Sequence, residues 1–264
     1  MLQWPCLWRA DSSSGSAAAP RTPVTPRRRC ARALVALCCA FAASPAPGAD
    51  AGRPPRVAVD VGHTLAAPGA RSARGRAEFA FNRALALKVA GALAALGIEP
   101  LLVNRDGDIG SLAARPQAVP QADFFLSIHH DSVGEHELER WIWNGREEGF
   151  SDRWAGHSLF VSRRNPEPGR SLLCASAIGA RLQRLGFAPT DKNARRREYA
   201  DPIHAVHHFD NLVVLYRAAQ PAVLFEAGVI RHRDEELLLR DPQRQARMAD
   251  GIATGIAACL MAGR

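Results

Sequence analysis

The chain has 264 residues and a formal net charge of +8. Half of that charge lies in residues 1–50, which hold six Arg and two Asp, while residues 51–264 carry 28 basic against 24 acidic side chains. The second part is long enough for one well-buried domain and short for two, and its composition excludes disordered, collagen-like and coiled-coil classes. Only two of the 34 basic residues are Lys, so the high isoelectric point reads as Arg-rich codon usage and is a weak sign of nucleic-acid binding.

The chain begins with a leader pattern. The cationic run Arg27 to Arg32 precedes an apolar stretch, Ala33 to Ala43, and then small residues and Pro up to Pro47-Gly48-Ala49. These are the three parts of a secretory signal, and the apolar stretch is too short to span a bilayer. The 26 residues ahead of it are long for a signal's charged region, which points to translation starting near Val24. Residues 1–49 are therefore expected to be an N-terminal extension and secretory signal, and residues 50–264 a catalytic domain that is exported, periplasmic or cell-wall associated. The bulky Leu37 before Cys38 argues against a lipid anchor. Four of the six Cys fall in the leader, leaving Cys174 and Cys259, whose pairing stays open.

From residue 56 onward, short β-rich runs alternate with helical patterns. Val57 to Val61 reads as a buried strand. Glu78 to Leu96 reads as a helix with apolar Phe81, Leu85, Val89, Leu93 and Leu96, closed by Gly97. Ile98 to Asn104 is a second strand, followed by a Pro-interrupted helical turn around Ser111 to Val119 and a third strand from Ala122 to His129. An irregular stretch rich in Trp and charge then contains strands at Arg140 to Trp143 and His157 to Ser162. Leu172 to Leu185 is helical and residues 186–210 form a long polar connection. Leu212 to Tyr216 and Ala222 to Glu226 are read as strands, and Asp241 to Met261 as a closing helix. This alternation predicts an α/β fold: a single domain built on a mostly parallel twisted sheet with helices on both faces.

In such a sheet, functional groups gather beyond the carboxyl ends of the strands. Three strand ends carry ionisable side chains: Asp60-Val61-Gly62-His63, Ser127-Ile128-His129-His130-Asp131 and Leu224-Phe225-Glu226-Ala227-Gly228. Taken singly, a strand-end His is more often a satisfied turn residue and a strand-end Glu a solvated rim charge. Three on one edge form a constellation. Glu78, at the start of the first helix, can fold back beside His63, although an acidic residue there is also stabilised by the helix dipole alone. Two His and one carboxylate with an open position match the ligand set of a catalytic zinc site, which ligand type favours over other divalent ions.

This order of motifs resembles the zinc-dependent N-acetylmuramoyl-L-alanine amidases of cell-wall turnover, over roughly residues 56–260. The Asn104-Arg105 pair and the Arg115 segment before Ala122-Asp123 are also similar to that family. The resemblance implies three metal ligands on His63, Glu78 and His129, one Zn2+ per chain, and a catalytic glutamate on Glu226. It further implies peptidoglycan as substrate, cleaved at the amide between N-acetylmuramic acid and L-alanine. Glu226 would take a proton from the attacking water and return it to the leaving amine. The chain departs from the family at Thr64-Leu65, where two Gly are usual, at Phe79 for Lys, at His130-Asp131 for Ala-Asn and at Val229 for Phe. None of these removes a ligand; they bear on the shape of the substrate groove.

Other polar clusters have blander readings. His204, His207 and His208 suit a solvated or substrate-side loop. Arg195-Arg196-Arg197 can meet peptide carboxylates or be plain exposed charge. Trp141, Trp143 and Trp154 can stack on sugars or cover the core, and His130 can orient its neighbour or face away. In some members of the family this chain resembles, a helix blocks the zinc until a partner protein, the activator, displaces it; the resemblance implies that residues 131–160 are where such an autoinhibitory insertion would lie here, with Glu135, Glu137 or Glu139 as the blocking carboxylate. The competing functions are another exported zinc peptidase acting on stem peptides and a non-catalytic peptidoglycan-binding protein of the same fold. Nucleic acid is not an expected partner, and no stable membrane span is expected.

Overall fold

A computed structural model describes residues 53–262 of the chain. The expected leader at residues 1–49 lies outside the described residues. The central strand run begins with β1 (Arg56–Val61), whose near-continuous burial marks it as an interior parallel strand. Helix α1 (Glu78–Ala95) follows, burying Phe81, Leu85, Val89 and Leu93 at four-residue spacing. It ends in a Schellman turn: Gly97 takes φ 73°, its N–H reaches Ala94 O, and Ile98 N–H reaches Leu93 O. The chain continues through β2 (Glu99–Val103), the single-turn helix α2 (Ala114–Gln117) and β3 (Phe124–Asp131).

After β3 come β4 (Glu139–Trp143) and β5 (Arg146–Phe150), which form a separate two-stranded sheet. Next are β6 (Ser158–Val161), α3 (Pro168–Arg184), β7 (Tyr199–Asp201), β8 (Val206–His208), α4 (Val213–Tyr216) and β9 (Ala222–Val229). Helices α5 (Arg233–Arg240) and α6 (Pro242–Ala262) close the chain. The main sheet has seven strands in the order β2-β1-β3-β9-β6-β8-β7. Four of its pairings are parallel, and only β6–β9 and β7–β8 are antiparallel.

Helices cover both faces, unequally. Alternate strand residues such as Val59, Leu126 and Phe225 pack against the long helices α1, α3 and α6. The opposite residues Ala58, Phe125 and Leu224 meet only a thin layer that includes Val119 and the α4 residues Val214 and Leu215. That thinner face is left open at the carboxyl edge of the sheet. Cys174 on α3 and Cys259 on α6 are joined by a disulfide.

The structure corrects four of the expected elements. Leu212 to Tyr216 is a helical turn and not a strand: Tyr216 N–H bonds Leu212 O, and Val214 and Leu215 are buried on the thin face. A five-residue apolar run has no period of its own, so packing decides its conformation. Residues 186–210 are not mere connection, since they supply β7 and β8 to the sheet edge and a 3-10 turn at Lys192–Arg195. The irregular stretch holds the additional strand β5, joined to β4 by Asn144-Gly145 at φ 49° and 74°, the left-handed pair that a two-residue hairpin loop requires. The closing helical region begins earlier than Asp241, with α5, in which the His232 ring caps Asp234 and Glu235 N–H.

Candidate metal centre

His63 follows β1 in a left-handed conformation, φ 69°, which is costly for a residue with a side chain. Its carbonyl is gripped from two sides. Asn104 Nδ2 donates to His63 O at 2.6 Å and to Val61 O at 2.6 Å, and the Arg115 guanidinium donates to the same two oxygens at 2.7 and 3.2 Å. Arg115 is itself fully buried, 3.6 Å from the buried carboxylate of Asp60, to which Ser127 Oγ also donates. These bonds over-determine a strained residue and aim its imidazole across the end of β3.

His129 lies on β3 opposite Glu226 on β9. Glu78 opens α1, and its carboxylate sits between the two imidazoles: Oε2 is 3.0 Å from His63 Nε2 and Oε1 is 3.2 Å from His129 Nδ1. Ala70 N–H, His130 N–H and Asn82 Nδ2 donate to the same carboxylate and fix its orientation. Burial opposes ionisation of Glu78, but hydrogen bonds with His129 and His63 outweigh it and hold the carboxyl well below the usual carboxylate range. Glycine makes room nearby, because a Cβ on Gly62 would collide with the His129 ring.

Among the described residues, the ligand atoms of His63, Glu78 and His129 form one group in which all lie within 4.8 Å of one another. Tetrahedral zinc with N and O ligands near 2.0–2.2 Å needs ligand separations of about 3.3 Å. The 3.0 and 3.2 Å approaches are near this value, one to each oxygen of the Glu78 carboxylate, so the donor set fits a zinc ion once the side chains close on it.

Glu226 is half-buried at the rim of this group, and its Oε2 has neither solvent access nor a hydrogen-bond partner. Burial first, then the carboxylates of Asp131 and Glu78, push its carboxyl well above the ordinary value, with Lys192 pulling weakly the other way. An orphaned carboxyl oxygen beside the donor group suits a proton carrier for a water or an amine placed there. All four residues singled out from the sequence thus meet at one edge of the sheet.

The remaining candidates lie elsewhere. His130 points to the opposite face, where its Nδ1 meets Asn82 Oδ1 at 2.7 Å and burial depresses its pKa to about 3. His204 bonds Asp201, and His207 is buried against Tyr199, not solvated as expected of that loop. Trp141 and Trp143 stack on each other under Arg74. Glu137 is engaged by Arg195 and Trp154, and Glu135 by Arg140. No carboxylate from residues 131–160 joins the ligand group, and that segment folds as a hairpin and not as a blocking helix. The family resemblance points to Asn104 and Arg115, but their role as a clamp on His63 has no signal in residue patterning, since a fully buried Arg looks like any charged surface residue until it is packed.

Solved structures with the same fold include the catalytic domain of CwlV, an N-acetylmuramoyl-L-alanine amidase from Bacillus (Paenibacillus) polymyxa var. colistinus. It is 26% identical with a TM-score of 0.60, and the match covers 78% of this chain and 98% of that one. The amidase Ami1 from Mycobacterium smegmatis is 20% identical with a TM-score of 0.64, covering 79% of this chain and 97% of that one. The CwlD amidase from Clostridioides difficile, solved in complex with the GerS lipoprotein, is 20% identical with a TM-score of 0.60, covering 79% and 99%. No curated protein matches the chain by sequence. The family model for N-acetylmuramoyl-L-alanine amidase matches residues 57–258, nearly all of the described residues, and the chain belongs to that family of peptidoglycan hydrolases.

Proposed function

We propose that this chain performs its amidase reaction with one zinc ion held by His63, Glu78 and His129, with Glu226 as the proton carrier. The observation that supports this most directly is the convergence of two imidazoles and a buried carboxylate beside the unpartnered Oε2 of Glu226. When bound there, the metal supplies a Lewis acid beside the amide carbonyl and makes an attacking water more acidic. Glu226 accepts the proton of that water and delivers it to the leaving nitrogen, which cannot depart as an amide anion. Burial and the neighbouring carboxylates raise the Glu226 pKa, which favours its holding the proton between these two tasks. Glu78 stays ionised and anchors both imidazoles, and the Asn104–Arg115 clamp keeps His63 aimed.

The reading includes export. The run Arg27 to Arg32, the apolar stretch Ala33 to Ala43 and the small-residue exit support residues 1–49 as an extension and secretory signal and residues 50–264 as the catalytic domain in the periplasm or at the cell wall. Among the described residues no helix is long and apolar enough to cross a membrane. A protein partner belongs to the same reading, supported by the solution of CwlD in complex with GerS.

Digestion of purified peptidoglycan tests the reaction. Cleavage at the muramoyl amide exposes a new amino terminus on L-alanine, whereas a peptidase acting within the stem exposes one on a later residue. Product that begins elsewhere contradicts the assignment, and mass spectrometry of the unprocessed chain tests the start near Val24.

A further inference from the structure

The reaction has a direction across the sheet. The edge formed by the carboxyl ends of β1, β3 and β9 continues through the amino ends of β6 and β8, which run the other way. These strands present His63 just beyond β1, His129 on β3, Glu226 on β9 and, paired with Glu226, Ser158 on β6. An amide whose carbonyl lies at the His63–Glu78–His129 end must have its nitrogen at Glu226. The group attached to that nitrogen, the peptide, then runs on toward β6 and β8.

That side is roofed by the 3-10 turn and the residues after it. Asn193 Nδ2 donates to Ser158 Oγ at 3.0 Å and to Asp131 Oδ2 at 2.9 Å, and Lys192 Nζ donates to Asp131 Oδ1 at 2.7 Å. The Arg197 guanidinium lies 3.3 Å from the centre of the Phe209 ring, which follows the carboxyl end of β8, level with the start of β9, while the same Arg197 also lines the cavity at Asp131. Under this roof is a cavity of about 300 Å3 lined by Asp131, Glu137, Lys192, Arg195, Arg196 and Arg197. Its charges do not balance. Asp131 is met by Lys192 and Glu137 by Arg195, while neither Arg196 nor Arg197 has a carboxylate in ion-pair range among the described residues. Two guanidinium forks are left over, and a fork of this kind is shaped for bidentate bonding to a carboxylate. The Phe209 ring stiffens Arg197 and removes part of its hydration, which strengthens any bond it makes.

We propose that this groove binds the carboxylates of the leaving peptide, through Arg196 and Arg197, so that the enzyme selects acidic stem peptides over amidated ones. The proposal rests on the amidase reading for the peptide's direction, and it names a specificity site for that reaction.

The test uses the full chain carrying Glu226→Gln, titrated with an N-acetylmuramoyl-peptide whose stem carboxylates are free and with its carboxamide twin. The groove predicts tighter binding of the acid by about tenfold or more, falling as salt is raised. In Arg196→Gln/Arg197→Gln the ratio collapses toward one, and Arg196→Lys/Arg197→Lys restores part of it. Each single Gln variant is read as well, because Arg196 is exposed and its replacement leaves the packing untouched. A ratio near one in the unsubstituted groove, or one that survives in the double Gln variant, overturns the proposal. The binding readout does not depend on turnover: a chain that discriminates acid from amide but, with Glu226 intact, hydrolyses neither overturns the amidase mechanism and supports the groove.

Discussion

Replacing Arg115 by Met tests whether one buried cation both stabilises the sheet and holds His63 in place. Arg115 is 1% exposed and Asp60 is fully buried, with Oδ1 of Asp60 lacking any partner even in the intact protein. Met keeps the aliphatic length but leaves the Asp60 carboxylate facing only the Ser127 hydroxyl. Removing one member of a buried ion pair costs about 3–5 kcal/mol. The Val61 and His63 carbonyls add little, because Asn104 still donates to both. A loss near 4 kcal/mol is a large share of the roughly 5–15 kcal/mol that stabilises a typical domain, and lowers Tm by roughly 8–16 °C at this size. The pH dependence has a definite sign. Burial already raises the Asp60 carboxyl above its usual value against the pull of Arg115, and loss of Arg115 raises it further. A carboxyl raised in the folded state favours folding when protonated and opposes it when ionised, so the variant's deficit is largest at neutral pH and shrinks as pH falls toward 4. Urea unfolding at pH 7 and pH 5 measures this for Arg115→Met, Asp60→Asn and the double variant. The double variant should recover most of the loss, since no buried charge remains. A deficit below about 1 kcal/mol, one independent of pH, or no rescue by Asp60→Asn would refute the reasoning.

Three other perturbations follow from the same contacts. Gly62→Ala pushes the His129 ring out of line, so equilibrium dialysis should show zinc affinity weakened at least about tenfold, the scale of a disturbed ligand shell; unchanged affinity contradicts the close fit at Gly62. The Cys174–Cys259 disulfide closes a loop of 85 residues, so Cys174→Ala/Cys259→Ala should lose about 2–4 kcal/mol and reductant should lower the Tm of the unsubstituted protein alone. His157 is buried without a partner for either ring nitrogen, and burial depresses its pKa to about 4. The unfolded chain therefore takes up its proton first as pH falls through 6.5, costing the fold up to about 3 kcal/mol by pH 4. His157→Phe should flatten the acid limb of the stability curve; an unchanged slope would show that the ring is protonated or solvated in the folded state.

How far the sequence reveals this protein depends on which interactions are local. β1, α1, β3 and β9 are legible because each carries a period or a run of apolar residues, and α1 also carries its own stop in Gly97. The site is legible because strands of a parallel sheet deliver their ends to one edge, so His63, His129 and Glu226 announce themselves by position. Elements whose conformation is set by packing are not. Leu212 to Tyr216 turns into a helix only because Val214 and Leu215 find the thin face, and β7 and β8 are held mainly by the sheet edge they join. The strand β5 did have a signal, in Asn144-Gly145. The clamp on His63 and the roof over Ser158 join segments 35 or more residues apart through side-chain hydrogen bonds, and no pattern along the chain encodes such partners.

The central claim is that His63, Glu78 and His129 hold the metal while Glu226 moves the proton, and one paired measurement tests it directly. Zinc content by elemental analysis and release of N-terminal alanine from purified peptidoglycan are read together on the full chain, on Glu226→Gln and on His129→Ala. The account predicts about one zinc per chain in the first two, as expected of a three-ligand catalytic site, strong loss of zinc in His129→Ala, and turnover in the unsubstituted chain alone. A Glu226→Gln chain that loses its zinc together with its activity, or a His129→Ala chain that keeps both, would contradict it.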